Sequence, residues 1–475
     1  MQAKKTGTNR MIIGIILAVL TFWLFAQSMV NIIPAVQKDL NVSLGTLNIA
    51  ISLTSLFSGL FIVAAGGISD KIGRKKLTYF GLVFSIVGCV LIIISQNASI
   101  LILGRIVQGL SAACIMPSTI ALVKSSFEGE DRQRALSYWS FGSWGGGGCT
   151  ALVGGAIATY AGWRWIFVFS IAIALLSMYL LKDISESKAE EVSQQKFDFT
   201  GFLLFVLTML AINMIVTRGQ DFGWTSPLTV GLIAIAFVLM ITFFLVERRK
   251  TNQFIDFSLF KTQAYSGAVV SNFLQNGIAA TVVVANTYVQ LARGFTSFQT
   301  GLLTIGNVIA VLVMIRVGEK MLQNMGARKP MLISVFVSTI GISMTAMTFL
   351  PDLAYILVVF IGFLIAGLGI GMYATPSTDT AVVNIADDKV GVASGIYKMS
   401  SSLGFSFGIA ISTAVYGVIV SFASIHIAAS VGILVNILFA IPAILYINKT
   451  IKSDEGIVKD TSSIPASANT ISYVK

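Results

Sequence analysis

The sequence predicts an all-α integral membrane protein of fourteen transmembrane helices, with both termini on the cytoplasmic side. Three observations predict it: a series of long apolar runs, a scarcity of charge, and a regular alternation of basic residues between the two ends of those runs. Hydrophobic residues make up 55% of the 475-residue chain and charged residues only 11%, against about 25% charged in an ordinary soluble domain. In hydrocarbon every backbone N–H and C=O must be satisfied within the structure, which leaves helices or a closed barrel. Barrel strands are short and alternate polar with apolar residues. The runs here instead last long enough for a helix rising 1.5 Å per residue to cross about 30 Å of hydrocarbon.

In chain order the spans fall at 11–33, 46–68, 77–95, 99–124, 134–159, 163–181 and 199–217, then at 228–246, 264–290, 298–318, 330–349, 354–378, 391–418 and 429–447. The separations at 159–163, within "AGWRW", and at 418–429, beside His426, are the least marked. A count of twelve or thirteen is the alternative. The first run, from Met11 to about Ile33, is long and lacks an Ala-x-Ala end, which argues against a cleaved signal peptide.

Charge placement supports fourteen. With the N-terminus inside, 25 of the 32 Lys and Arg residues fall in cytoplasmic segments, among them Arg10, Arg74, Lys124, Arg132, Arg249, Arg328 and Lys389. Lys38, Arg164, Arg218 and Arg293 fall outside, and Arg105, Arg316 and Lys398 lie in or near spans. This is the bias that topology imposes on cytoplasmic loops. It accounts for the net charge of +11 without a nucleic-acid partner.

A repeat is visible as well. "GGISDKIGRKK" (66–76) follows the second span, and an echo, "GEKMLQNMGARKP" (318–330), follows the tenth. Parallel repeats are an expected transporter feature. They divide the chain into an N-terminal six-helix half with its following loop (1–198), an inserted two-helix segment and linker (199–263), a C-terminal six-helix half (264–450) and a polar, Ser-containing disordered tail (451–475).

Several chemistries lack their residues. "GGGGC" (145–149) has no Lys-Ser/Thr to complete a phosphate loop. No nucleophile elbow or zinc-protease motif occurs, and Cys89, Cys114, Cys149 and the single His426 show no metal-ligand or disulfide spacing. Neither enzymatic activity, nor a metal, nor an organic cofactor is implied. Energy for uphill transport would come from an ion gradient.

The turn Gly66, Asp70, Gly73, Arg74, Lys75 and Lys76 resembles the G-x-x-x-D-x-x-G-R-K-K signature of the major facilitator superfamily, in spacing and in position after the second span. Arg105, Gln108 and Gly109 resemble its R-x-x-Q-G motif, and "GVASGIYKMSSSLG" (391–404) resembles its thirteenth-span motif, with Ser401 where an arginine is usual. From about residue 10 to 448 the chain is similar to the fourteen-span drug:proton antiporters, most of all to staphylococcal quinolone-efflux pumps of the NorB/NorC type. The resemblance implies a multi-pass protein of the bacterial cell membrane. It implies proton-coupled export of amphipathic aromatic drugs such as quinolones, and of cationic dyes or biocides, by alternating access in a single chain. It also implies that Asp70 and Arg74 latch the two halves in the outward-facing state and that Arg105 serves proton coupling. A topology-determining charge cluster is the alternative for the turn, and a position near the external interface the alternative for Arg105.

Two departures matter. "FGSWGGGGCTALVGG" (141–155) has Thr150 and Ala151 in place of the family's Gly-Pro, so the proline kink is missing. "AQSMVNIIP" (26–34) has Ala26 where relatives commonly carry an aspartate, leaving Gln27 and Asn31 as neutral hydrogen-bonding groups. All 21 acids fall in loops or near span ends. Asp379, after Pro376, is the acid best placed to take up a proton if buried, a cytoplasmic cap being the alternative. Lys398 is a candidate partner for it across the hairpin, while Arg316 and Glu319 suit a local i,i+3 pair. A mixed aromatic and amide cavity is expected from Phe22, Trp23, Phe25, Gln27, Asn31, Trp139, Trp144, Asn272, Gln275, Asn276, Asn286, Asn307 and Tyr373. The competing functions are a facilitator or exporter of a physiological metabolite or siderophore and, outside transport, a membrane receptor or scaffold.

Overall fold

The apolar runs fold as helices throughout. The computed structural model describes residues 2–42, 44–188, 198–223, 225–250 and 253–457. The helices are α1 (Gln2–Leu20), α2 (Ile33–Leu40), α3 (Leu44–Ile72), α4 (Arg74–Ile93), α5 (Ala98–Ser126), α6 (Gly129–Ser140), α7 (Gly146–Tyr160) and α8 (Arg164–Leu181). They continue with α9 (Phe199–Phe222), α10 (Pro227–Arg249), α11 (Gln263–Ala279), α12 (Val282–Arg293), α13 (Ser297–Leu303) and α14 (Ile305–Met325). The last are α15 (Arg328–Thr345), α16 (Asp352–Val383), α17 (Val390–Val420), α18 (Ile425–Leu434) and α19 (Ala440–Thr450). No strand occurs among the described residues.

Eleven helical segments among the described residues are long and apolar enough to cross a membrane, fewer than the fourteen expected. The remaining expected spans, 134–159, 199–217 and 330–349, are helical but do not reach that length and apolarity. The first runs as helix through α6, a π-helical turn at Phe141–Gly145 and α7, and its many Gly, Ser and Thr residues lower its apolarity. Within the second, Phe199–Ile215 form a shorter apolar helix among the described residues. The third opens on Arg328 and Lys329 and runs through several Ser and Thr residues.

Helices α3, α4 and α5 pack together, with α1 against α8; α14, α15 and α16 form a matching group, with α11 against α17 and α19. The two groups meet where α17 crosses α3 and α5, and where α6 meets α14 and α16. Close crossings rest on glycine. A Cβ on Gly391 of α17 would overlap the carbonyl oxygen of Gly66 in α3, and one on Gly404 would overlap that of Phe273 in α11. Such small-residue contacts are how helices approach in lipid, where no hydrophobic force drives them together.

Helices α9 and α10 pack on each other, and α9 leans on α3 and α17. The outer face of α10 is apolar and uncovered, with Phe237 58% and Val238 61% exposed, as a lipid-facing helix requires. At its end Glu247 is buried and accepts N–H bonds from Phe254 (2.6 Å) and Ile255 (3.2 Å), fixing the linker to α11. Residues 451–457 form a turn whose Glu455 carbonyl accepts from Ala327 N–H at 2.7 Å. The tail beyond 457, expected to be disordered, lies outside the described residues.

Candidate functional site

The site has two parts: a set of polar bonds joining the two helix groups at one end, and a cavity behind it. At that end α3 runs out to Asp70, and Gly73 at φ +116° turns the chain into α4. Only glycine adopts that φ at no steric cost. The Asp70 carboxylate, 4% exposed, accepts from the N–H groups of Gly391 (3.0 Å) and Val392 (3.2 Å). These belong to the first turn of α17, where N–H groups lack helical acceptors and the dipole favours an anion. Arg74, equally buried, donates to the carbonyl of Asp387 and lies 3.5 Å from Asp70. Lys124 pairs with the Asp387 carboxylate at 2.9 Å. The two halves of the turn motif thus act on one target, the loop entering α17.

A second bond set lies beside the first. Asp379 sits inside α16 with 0% exposure, its Oδ1 2.8 Å from Arg132 Nε and its Oδ2 3.4 Å from Gln133 Nε2. Gln133 also donates to the carbonyl of Gly456 at 2.6 Å. The alternative of a solvent-exposed cap is thereby replaced by a buried ion pair. The expected partner is also corrected: Arg132, not Lys398, holds Asp379. Lys398 is eight residues into α17, a rise of about 12 Å, whereas Asp379 is four residues, about 6 Å, from the end of α16. The two therefore sit at different depths. Arg316 and Glu319 do form the local pair, and the Arg316 guanidinium lies 5.0 Å from the Tyr138 ring centroid.

At the opposite end the strong pairs stay within each group. Arg164 bonds Asp39, and Arg293 bonds Asp352. Among the described residues, the ion pairs that cross between the groups lie at the Asp70 end.

Arg105 is fully buried in α5, seven residues from its start at Ala98. Its Nη1 donates to the Ala26 carbonyl and to Gln108 Oε1, each at 2.7 Å, while Nε and Nη2 have no partner. Gln108 in turn donates to Cys89 Sγ at 3.5 Å. Arg105 therefore reaches the first span at Ala26, where it meets the backbone oxygen.

Behind these bonds lies a cavity of about 360 Å³. Of the residues expected to form it, Phe22, Trp23, Gln27, Trp144 and Asn276 line it, and so does Lys398. Others do not. Trp139 is buried behind Lys398, donating to Thr119 at 2.9 Å; Asn272 donates to Tyr397 and to Ser400 and Ser401; Gln275 donates to Ser338 at 2.9 Å. Asn307 donates to the Phe363 carbonyl at 3.0 Å, and the Tyr373 hydroxyl bonds Ser271 at 2.6 Å. These groups join helices to one another. The Asn31 side chain lies outside what the structure describes.

Serines supply the polar lining that sequence reading missed: Ser55 and Ser58 on α3, Ser143, and Ser401, Ser402 and Ser406 on α17. The i, i+4 spacing of Ser402 and Ser406 was the available signal. Two irregular segments shape the wall. The first span breaks into a π turn, Thr21–Phe25, and a 3₁₀ turn, Ala26–Asn31, and the fifth into the π turn Phe141–Gly145. Both segments thus depart from regular α-helix where they border the cavity.

Residues 11–259 and 265–469 match the family model described as Major Facilitator Superfamily. The chain is 51% identical over 430 residues to the quinolone resistance protein NorB of Staphylococcus aureus strain MRSA252, covering 90% of this chain and 93% of that protein; NorB of strain JH9 matches to the same extent. Among solved structures, the proton:xylose symporter XylE aligns with a TM-score of 0.67 at 14% identity, over 95% of this chain and 98% of that one. The human organic anion transporter MFSD10 aligns with a TM-score of 0.63 at 12% identity, over 91% and 98%. These two likenesses establish the fold alone.

Proposed function

Because this chain belongs to the major facilitator superfamily and is a multi-pass cell-membrane protein, we propose that it exports amphipathic aromatic drugs by proton-coupled alternating access. Quinolones are the leading substrates, given the 51% identity to a quinolone resistance protein. Cationic dyes or biocides are further candidates. The proposal includes fourteen membrane helices with both termini cytoplasmic, two six-helix halves flanking the inserted pair at 199–263, and function as a monomer.

The observation that carries the reading is a cavity walled by Phe22, Trp23 and Trp144, closed off at the Asp70 end by bonds between the two helix groups. Aromatic rings give stacking surfaces, and the serine and amide groups give hydrogen bonds without fixing one substrate geometry. With the Asp70 end cytoplasmic, the arrangement is outward-facing. Protonating Asp379 removes the charge that holds Arg132, so proton uptake weakens the closed inner face and favours the inward state. Each elementary charge crossing 100 mV supplies about 2.3 kcal/mol.

The test is substrate-induced proton release from sealed proteoliposomes, with norfloxacin and a quaternary ammonium dye, across an imposed pH gradient. Antiport requires proton movement that depends on substrate, and its disappearance in Asp379→Asn would identify Asp379 as the carrier. A second reading, a facilitator or exporter of a metabolite or siderophore, draws support from a cavity with no acid among the described residues that line it. Gradient-independent flux without proton movement would favour it.

A further inference from the structure

Among the described residues lining the cavity, Lys398 is the one ionisable side chain, and no ion pair compensates it. Lys398 is 5% exposed and borders the cavity from α17. Its ammonium lies 4.9 Å from the ring centroid of Trp139 and 5.8 Å from that of Trp23. No carboxylate of the described residues pairs with it, and no Asp or Glu lines the cavity. Buried ammonium groups are normally paired, because removing one from water is costly. Two indole faces recover part of that cost, but they are weaker partners than a carboxylate and leave the side facing the cavity open.

We propose that Lys398 is the docking point for a carboxylate on the transported molecule, so that the cavity selects aromatic anions and zwitterions over permanently cationic compounds. The inference rests on the drug-export reading and names its substrate class. An ammonium held in a poorly solvated site attracts an anion far more strongly than it would in water, and repels a fixed cation by the same margin. Ser401 and Ser402, three and four residues along α17, present hydroxyls on the same helix face. They offer hydrogen bonds to the second carboxylate oxygen. Trp23 and Phe22, at 5.3 Å and 77° to each other, form a right-angled aromatic corner beside the ammonium, which suits a planar ring bearing a carboxylate.

The experiment measures binding by tryptophan-fluorescence quenching, and export from proteoliposomes, using the full chain. The probes are norfloxacin, norfloxacin ethyl ester (which lacks the acid), 2-naphthoate and tetraphenylphosphonium. Wild type is expected to bind norfloxacin and 2-naphthoate at least about ten-fold more tightly than the ester or the phosphonium, since a buried charge pair is worth a tenfold step or more. Lys398→Met should abolish that preference by weakening binding of the acids while binding of the ester and the phosphonium is retained or tightened, and Lys398→Arg should retain most of the preference. Ester binding that is retained or tightened also reports that the Met variant is folded. Equal binding of acid and ester by wild type, with export intact, overturns the inference and leaves the drug-export reading standing. Lysine-dependent binding of 2-naphthoate without export of norfloxacin supports the inference and overturns the reading. Loss of acid and ester alike in both variants overturns the inference.

Discussion

Asp379 Oδ1 lies 2.8 Å from Arg132 Nε, joining α16 to α6 across 247 positions of sequence. The acid is completely buried, and the guanidinium side chain is only 11% exposed. Removing one member of such a pair strands the other charge, at a cost of about 3–5 kcal/mol.

Asp379→Asn is therefore expected to destabilise the closed face and to abolish substrate-driven proton release. Arg132→Gln should open the same face but keep a titratable Asp379, so some proton release persists. Thermal unfolding in detergent, together with the proteoliposome proton assay, separates the two. Identical proton signals in Asp379→Asn and wild type would exclude Asp379 as the carrier.

The Asp70 latch predicts a second result. Replacing the carboxylate by an amide in Asp70→Asn weakens two charge-assisted bonds to α17, worth about 1.5–3 kcal/mol each. Gly391→Ala should do the same without altering any charge, because its Cβ would strike Gly66 and Asp70. In a background with Cys89, Cys114 and Cys149 replaced, a cysteine at the fully buried Ser394 should be labelled several-fold faster by a maleimide in both variants. Labelling that rises only in Asp70→Asn would assign the effect to charge and not to closure.

Arg105 should resist even conservative change. Its Nη1 binds the Ala26 carbonyl and Gln108 together, from a planar guanidinium whose reach and shape the shorter, tetrahedral lysine ammonium does not reproduce. Arg105→Lys is expected to lower the melting temperature and reduce proton-driven export by an order of magnitude or more, that is about tenfold per 1.4 kcal/mol. Ala26→Asp places an acid beside the unpaired Nε and Nη2 and should raise the melting temperature. A fall on introducing the acid would mean that the two groups do not meet.

A pH prediction follows from the linker. Burial pushes Asp256 upward, but hydrogen bonds from Lys389 and Ser258 outweigh it and hold the carboxyl below its ordinary value of 3.8. A group whose folded pKa is depressed contributes stability above the unfolded pKa and loses it as pH falls through the folded one. The Asp256–Lys389 contact should therefore hold at and above about pH 4 and fail only below it. Asp256→Asn should leave the pH profile of transport between pH 5 and 8 unchanged in shape. A new inflection in that window would contradict the assignment.

Much of this molecule was legible in its sequence, for a physical reason. Apolar runs, turn glycines and basic clusters are local properties, so the helices, the Asp70–Arg74 turn and the family could be read before any contact was known. The i,i+3 pair of Arg316 and Glu319 was equally local. What tertiary structure alone decided is which way each polar side chain faces. Asn272, Gln275, Asn307 and Tyr373 are the residue types a cavity would use, yet each bonds a neighbouring helix, because in a lipid-embedded bundle helix contacts also need polar groups. The fifth span contains a π turn, Phe141–Gly145, that no residue pattern announced. Asp379 found Arg132 and left Lys398 facing the cavity with only indole rings for company. That choice depends on the depth and rotation of three packed helices, which hydrophobic periodicity does not encode.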